Sequence, residues 1–209
     1  MELSNQEKQL WRPGYKVVAG VDEAGRGAWA GPLVVGAVLL TANFYKQLPA
    51  WVALVNDSKK LTPRRRQQLF VKIKTTLVWS VGLVASREID KIGIGEANRL
   101  GVIRAVNNLK NKPDYIVSDY VAKLPVTINH VPTRNITHGD AKFIIVALAS
   151  IVAKVYRDEL VTQYDKKYPG YGFAKHKGYG TKQHIKALQE LGVCKIHRRS
   201  YRPIVQYLV

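Results

Sequence analysis

Four carboxylates are conspicuous in a strongly basic chain. Asp22 and Glu23 stand together after an apolar, β-branched run at 15–21; Asp119 ends a short apolar run that begins at Asp114; Asp140 follows Gly139 and directly precedes a long apolar stretch. The ends of neighbouring strands and the start of a buried helix can converge on one point, and ligands of open α/β sheets commonly bind outside strand ends. Carboxylates a few ångströms apart repel one another, and burial worsens the repulsion, so such a cluster either takes up protons or binds divalent cations. All-oxygen donors select hard ions, Mg²⁺ or Mn²⁺. A pair of such ions is one solution to phosphodiester hydrolysis, one acidifying the attacking water and the other stabilising the leaving oxygen. The competing reading is structural: Asp-Glu at a strand end serves as a solvated turn, and Gly-Asp before a helix as an N-cap.

The elements that must position these residues follow from the apolar pattern. Residues 15–21 and 33–40 read as two buried strands joined by the Gly-rich turn 25–31. Thr62–Lys74 reads as a helix, with Thr62 as cap and Pro63 in its first turn. Val78–Ala85 reads as a strand, Glu96–Leu109 as a helix, and Asp114–Asp119 and Val126–Val131 as further strands. Residues 141–164 form a buried central helix, and Thr181–Leu191 an amphipathic one. Early strands that pair as hairpins, followed by strands alternating with helices, give an α/β sheet with helices on its faces.

The remaining charge names the class of partner. Lys and Arg number 33 against 15 Asp and Glu, a formal net charge of +18 over 209 residues. A compact chain with this excess repels itself unless a polyanion is nearby, nucleic acid first and an anionic membrane surface second. No apolar run reaches the roughly 18–20 residues of a membrane-spanning helix, and the polar N-terminus lacks the apolar core of a signal peptide. A cytoplasmic protein with no membrane partner is expected. The single cysteine, Cys194, excludes an intramolecular disulfide framework and a Cys-based zinc site. Basicity by itself leaves open a non-catalytic nucleic-acid-binding protein, in which the four acids are caps.

One segment narrows the choice. Val21-Asp22-Glu23-Ala24-Gly25-Arg26-Gly27, running on to Ala30-Gly31-Pro32, strongly resembles the signature of the ribonuclease HII family, the type 2 ribonucleases H. Further similarities follow in the family's order: Asp57-Ser58-Lys59-Lys60-Leu61; Gly139-Asp140 with Ala149-Ser150-Ile151-Val152-Ala153-Lys154-Val155 and Arg157-Asp158; Tyr171-Gly172-Phe173; His176-Lys177-Gly178-Tyr179; and His197-Arg198-Arg199-Ser200. The resemblance implies an RNase H-like α/β fold, a mixed five-stranded sheet flanked by helices. It implies a single domain with a core over about 14–168 and a C-terminal helical extension over about 169–209. It further implies endonucleolytic cleavage of the RNA strand of RNA–DNA hybrids and incision 5′ of ribonucleotides embedded in duplex DNA, leaving 3′-hydroxyl and 5′-phosphate ends. Two Mn²⁺ or Mg²⁺ ions are implied, with Asp22, Glu23, Asp119 and Asp140 as catalytic and metal-binding residues. Asp22 and Asp119 would bridge or hold the ions, and Glu23 and Asp140 would each complete one shell. Tyr179 would pack on the sugar beside the scissile junction. No partner subunit is called for, and a monomer is expected.

Three departures stand out. Tyr120 follows Asp119 where the family usually has Gly, Ala28-Trp29 follows the Gly-Arg-Gly turn where Pro is common, and Gly180 replaces the usual Pro after Tyr179. Asp114 is the nearby competitor of Asp119, although it begins its strand rather than ending it.

Choosing RNA requires sensing one 2′-hydroxyl, which both donates and accepts a hydrogen bond. Gly25-Arg26-Gly27 offers main-chain groups with no Cβ on either glycine, so the backbone can approach a sugar closely, and Arg26 can contact the adjacent phosphate. Lys59, Lys60 and Lys177 lie in matched motifs and are assigned as substrate contacts. Lys154 and Arg157, three apart on one face of the central helix, are placed either to contact phosphates or equally to pair with the catalytic carboxylates. Gly172–Val209 holds eight Lys or Arg, interleaved with aromatics, against the single acid Glu190, a pattern that grips a duplex backbone. His176, His184 and His197 lie amid these cations and are assigned to phosphate contacts or structure. Of His130 and His138, the latter stands near Asp140 with a proton-shuttling role that nothing else in the sequence supports.

Overall fold

The computed structural model describes residues 8–11, 14–55 and 61–208. Strand β1 (Val17–Ala24) pairs antiparallel with β2 (Leu33–Thr41), placing Asp22 opposite Gly36. On the outer side of β2 lies β3 (Val78–Val84), again antiparallel. On the other side of β1, β4 (Tyr115–Asp119) runs parallel, with Val21 against Ser118. Asp22 and Asp119 are therefore the next residues along two parallel neighbours, which is why carboxylates 97 positions apart meet.

Among the described residues the sheet has six strands in the order β3-β2-β1-β4-β6-β5, not five. The run Val126–Val131 is not one strand. It contains β5 (Thr127–Ile128) and the start of β6 (Val131–Ile136), which pair antiparallel. Asn129 and His130 between them both hold positive φ, 51° and 66°, the backbone that a two-residue hairpin turn demands.

The helices that lie wholly within the described residues are α1 (Ala42–Lys46), α2 (Pro63–Thr76), α3 (Ser86–Asn107), α4 (Gly139–Lys142), α5 (Ile144–Lys167), α6 (Phe173–His176), α7 (Lys182–Leu191) and α8 (Arg202–Val205), with a 3₁₀ turn at Ala50–Leu54. Thr62 caps α2 as the sequence predicts, its Oγ1 accepting from the Arg65 N–H at 3.2 Å. Helix α3 starts at Ser86 rather than Glu96. Glu88 accepts from the Ala85 N–H at 2.9 Å, while Gly93, at φ 77°, bends the helix and breaks its sequence pattern.

Side chains of a strand alternate between faces, and here the two faces differ. Val18, Val38, Leu40 and Val117 pack under α5 and α2; Ala19, Val21, Val35, Ala37 and Ile116 pack under α3. Helix α5 lies directly on the sheet because a β-carbon at Gly20 or Gly36 would run into the backbone of Ile145 or Ala149. Each fully buried Ile, Leu or Val of α5 contributes roughly 1.5–3 kcal/mol, so the helix that follows Asp140 is firmly held. Among the described residues, no helix is long and apolar enough to cross a membrane.

Candidate active site

Asp22, Asp119 and Asp140 each present one carboxylate oxygen, and these oxygens all lie within 4.8 Å of one another. Asp22 and Asp140 are buried and Asp119 is half-buried. Three elements make the cluster: Asp22 from β1, Asp119 from the end of β4, and Asp140 from the first turn of α4. Oδ1 of Asp119 accepts the Gly139 N–H at 2.8 Å, so the strand end and the helix turn are joined.

Glu23 stands outside this trio for a reason of strand geometry. Because successive side chains alternate, Asp22 turns to the α5 face, where it bonds the Ser150 side chain. Glu23 turns to the α3 face, where it bonds Asn98. The four acids thus do not meet at one point, but all except Asp140 line one cleft of about 250 Å³, together with Ala24–Gly27, Ser150, Lys154 and Tyr179. Asn98 carries no charge and escaped the sequence reading, while Ser150 stood in a matched segment with no role assigned to it. The only signal at Ser150 besides that match was a polar residue inside an otherwise apolar helix run.

Burial is the largest cause pushing the Asp22 carboxyl well above its ordinary value, with the charges of Glu23, Asp119 and Asp140 adding to it. Glu23 is raised too, by burial first and Asp119 second, against the opposing pull of Arg26 and Asn98. Oε2 of Glu23 is buried with no hydrogen-bond partner. Crowded, desolvated carboxylates with an unused oxygen are the donor set a hard divalent cation relieves, and the residues fit Mg²⁺ or Mn²⁺.

Around the cleft, the structure sorts the predicted contacts. Arg26 and Gly27 are exposed, and Gly25 is buried. Gly25 holds φ 89°, and a β-carbon there would overlap the Arg157 guanidinium. Arg157 is fully buried and donates to the carbonyls of Pro32 (3.1 Å) and Ala30 (3.3 Å). It does not pair with the acids, because its stem is spent behind the glycine loop. Lys154 pairs with Asp158 at 3.2 Å instead. Both cations lie against the Tyr179 ring, at 5.5 Å for Lys154 and 5.3 Å for Arg157. The Arg26 carbonyl accepts from Arg198 (2.8 Å) and from the Tyr201 hydroxyl (2.6 Å), so the C-terminal segment fixes the loop. Arg157 and Arg198 are thus structural clamps that a charge count reads as surface cations.

Lys177 turns away from the cleft. Its Nζ donates to Thr162 Oγ1 (2.5 Å) and the Ala174 carbonyl (2.6 Å), and it lines a separate cleft with Arg66, Asp158 and Glu159. Lys59 and Lys60 lie outside the described residues. Asp114 is no rival to Asp119: it accepts the N–H groups of Lys16 (2.7 Å) and Val17 (3.2 Å) at the opposite end of β1. His138 is exposed with φ 58° and precedes α4 as its N-cap residue. His176, His184 and His197 are buried together, in structure and not on phosphates. Trp29 and Gly180, two of the departures, meet each other: a β-carbon on Gly180 would overlap the indole.

A family model described as Ribonuclease HII matches residues 19–204. The chain is 46% identical over 207 residues to a Ribonuclease HII of Desulfitobacterium hafniense (strain Y51), covering 99% of this chain and 76% of that protein. It is 44% identical over 200 residues to a Ribonuclease HII of Dehalococcoides mccartyi, covering 95% and 92%. The crystal structure of the ribonuclease H2 from Pyrococcus horikoshii OT3 superposes with a TM-score of 0.76 at 30% identity, over 91% of this chain and 96% of that one. A mixed sheet carrying an acid cluster at its strand ends, a pinned Gly-Arg-Gly loop and these relatives lead to one assignment: the chain belongs to the ribonuclease HII family, metal-dependent endoribonucleases with ribonuclease H activity on RNA–DNA hybrids.

Proposed function

We propose that this enzyme, besides cleaving the RNA strand of hybrids, incises duplex DNA 5′ of single embedded ribonucleotides, leaving 3′-hydroxyl and 5′-phosphate ends. The observation that carries this reading is the convergence of Asp22, Asp119 and Asp140 within 4.8 Å in a cleft shared with Gly25, Arg26, Gly27 and Tyr179. Asp22, Asp119 and Asp140 hold the divalent ions, and Glu23 completes the set through its free Oε2. When bound, two Mg²⁺ or Mn²⁺ ions supply Lewis-acid polarisation of the phosphate and a water acidic enough to attack at neutral pH.

The chain's own residues place the substrate. Nothing lies within 4 Å of a β-carbon built on Gly27, so the main chain there is open to a sugar and its 2′-hydroxyl. Arg26 is exposed while its carbonyl is held, which frees the guanidinium for the neighbouring phosphate. Tyr179 sets its ring against the deoxyribose on the 3′ side, and its hydroxyl meets the 2′-OH. Residues of about 169–209 serve as the substrate-binding extension of a single domain, acting in a monomer. Such an activity belongs to ribonucleotide excision and DNA replication in the cytoplasm.

The test is a duplex with one ribonucleotide and an end label, incubated with Mg²⁺ or Mn²⁺. A single cut on the 5′ side of the ribonucleotide is expected. Hybrid cleavage without any incision of this duplex would overturn the junction reading.

A further inference from the structure

Three histidines pack behind Tyr179 in a hydrogen-bonded order that fixes every tautomer. The Cys194 N–H donates to His197 Nδ1 at 2.9 Å, so neutral His197 carries its proton on Nε2. That nitrogen faces His184 Nε2 at 3.0 Å, which must accept. His184 then carries its proton on Nδ1, which donates to the Tyr179 carbonyl at 3.0 Å. His176 stacks on His184 at 4.4 Å between centroids and is set likewise, Nδ1 accepting the Gly178 N–H (3.2 Å) and Nε2 donating to the Tyr171 carbonyl (2.8 Å).

We propose that His184 is a positioning residue for Tyr179, holding its carbonyl through the chain Cys194–His197–His184–Tyr179. The proposal rests on the reading of Tyr179 as the residue that senses the ribonucleotide junction.

Two observations support it. His184 and His197 are 0% and 2% exposed, and burying an imidazole costs free energy unless both nitrogens are bonded. An apolar side chain would fill the same space without that demand. The polar chain therefore has a use beyond packing, and it ends at the residue that lines the catalytic cleft. The second is the wall opposite. Trp29 lies 5.7 Å from His184, overhangs Gly180, and donates its backbone N–H to the Gly178 carbonyl at 2.8 Å. Residues 178–180 are thus gripped from both sides, with the Tyr179 ring directed to the cleft. The Thr181 N–H also reaches the Tyr179 carbonyl, at 2.9 Å, so His184 supplies one of two donors, and its loss shifts the residue without releasing it.

The two amide replacements of histidine separate positioning from folding. His184→Asn places its amide nitrogen where Nδ1 was and keeps the donor to Tyr179. His184→Gln reaches the Nε2 position and keeps only the contact to His197. The readout is the rate of single-ribonucleotide incision divided by the rate of long-hybrid cleavage, with thermal unfolding as the fold control and Tyr179→Ala alongside. One hydrogen bond sets the scale, about tenfold. His184→Asn is expected to keep the ratio within about threefold of the parent, and His184→Gln to lower it about tenfold. Equal ratios for the two variants, with Tyr179→Ala lowering it, would overturn the positioning role and leave the Tyr179 reading standing. An unchanged ratio in Tyr179→Ala would overturn both. If position 184 accepts neither amide, His197→Gln keeps a donor to His184 and His197→Met does not. The first is then expected to retain the ratio and the second to lose it, and equal values would overturn the proposal.

Discussion

The backbone N–H of Gly139 donates to Oδ1 of Asp119 at 2.8 Å. This bond does two things. It uses one oxygen of the β4 carboxylate to anchor the turn that carries Asp140, and it fixes the separation of the two acids. The cluster is built by backbone: parallel register brings Asp22 beside Asp119, and this hydrogen bond brings Asp140 to both.

Because desolvation and its acidic neighbours raise Asp22, the metal-free protein carries an electrostatic strain at neutral pH. Asp22→Asn removes it. Cleavage should fall by at least about 10³-fold, while the metal-free variant melts about 2–4 °C higher than the parent, the shift of roughly 1 kcal/mol in a chain of this size. Added Mg²⁺ should raise the melting temperature of the parent by mass action and leave the variant unmoved. Calorimetric scans with and without metal check this; a variant that melts lower without metal contradicts the strain.

Acid should loosen the C-terminal segment. Burial is the first cause that lowers His184 and His197 to about 4, with neighbouring imidazole charge adding to it. Between the unfolded value of 6.5 and this folded value, the unfolded chain binds more protons, so stability falls as pH falls from about 6.5 to about 4 and levels off below. Asp22 and Glu23 act with the opposite sign, since their folded values are raised. The difference between the parent and His184→Asn isolates the His184 share. The variant should lose less melting temperature on acidification; parallel curves would remove His184 as a source of the acid sensitivity.

Trp29 and Gly180 should behave as one unit. A methyl at 180 overlaps the indole, so Gly180→Ala is expected to cost about 1–3 kcal/mol by overpacking. In a Trp29→Ala background the same change should cost at least about 1 kcal/mol less. A denaturant double-mutant cycle measures the coupling, and strict additivity would show that the two departures from the family pattern are independent.

What was legible in the sequence was the chemistry with a period or a charge. Asp22 and Asp119 could be found because apolar runs end there and acids are scarce, and the apolar stretch after Asp140 announced α5. The separation of Glu23 from the trio follows from the two-residue alternation of β1. It was hidden because the strand runs on to Ala24, beyond the apolar run. The hairpin at Asn129-His130 was hidden inside a segment whose side chains suit a strand, since a positive φ leaves no apolar signature. In the sequence Arg157 reads as a partner of phosphates or acids, His184 and His197 as phosphate contacts or structure, and Arg198 as one cation of a backbone-gripping segment. Their partners are backbone carbonyls, amides and one another, brought together only by the tertiary fold.

The most direct test of the central claim is anomalous diffraction from crystals of the protein soaked in Mn²⁺. The account predicts an anomalous peak in contact with carboxylate oxygens of Asp22, Asp119 and Asp140, absent from crystals of Asp22→Asn. A peak unchanged in that variant, or saturating Mn²⁺ that leaves these three carboxylates bare, would contradict it.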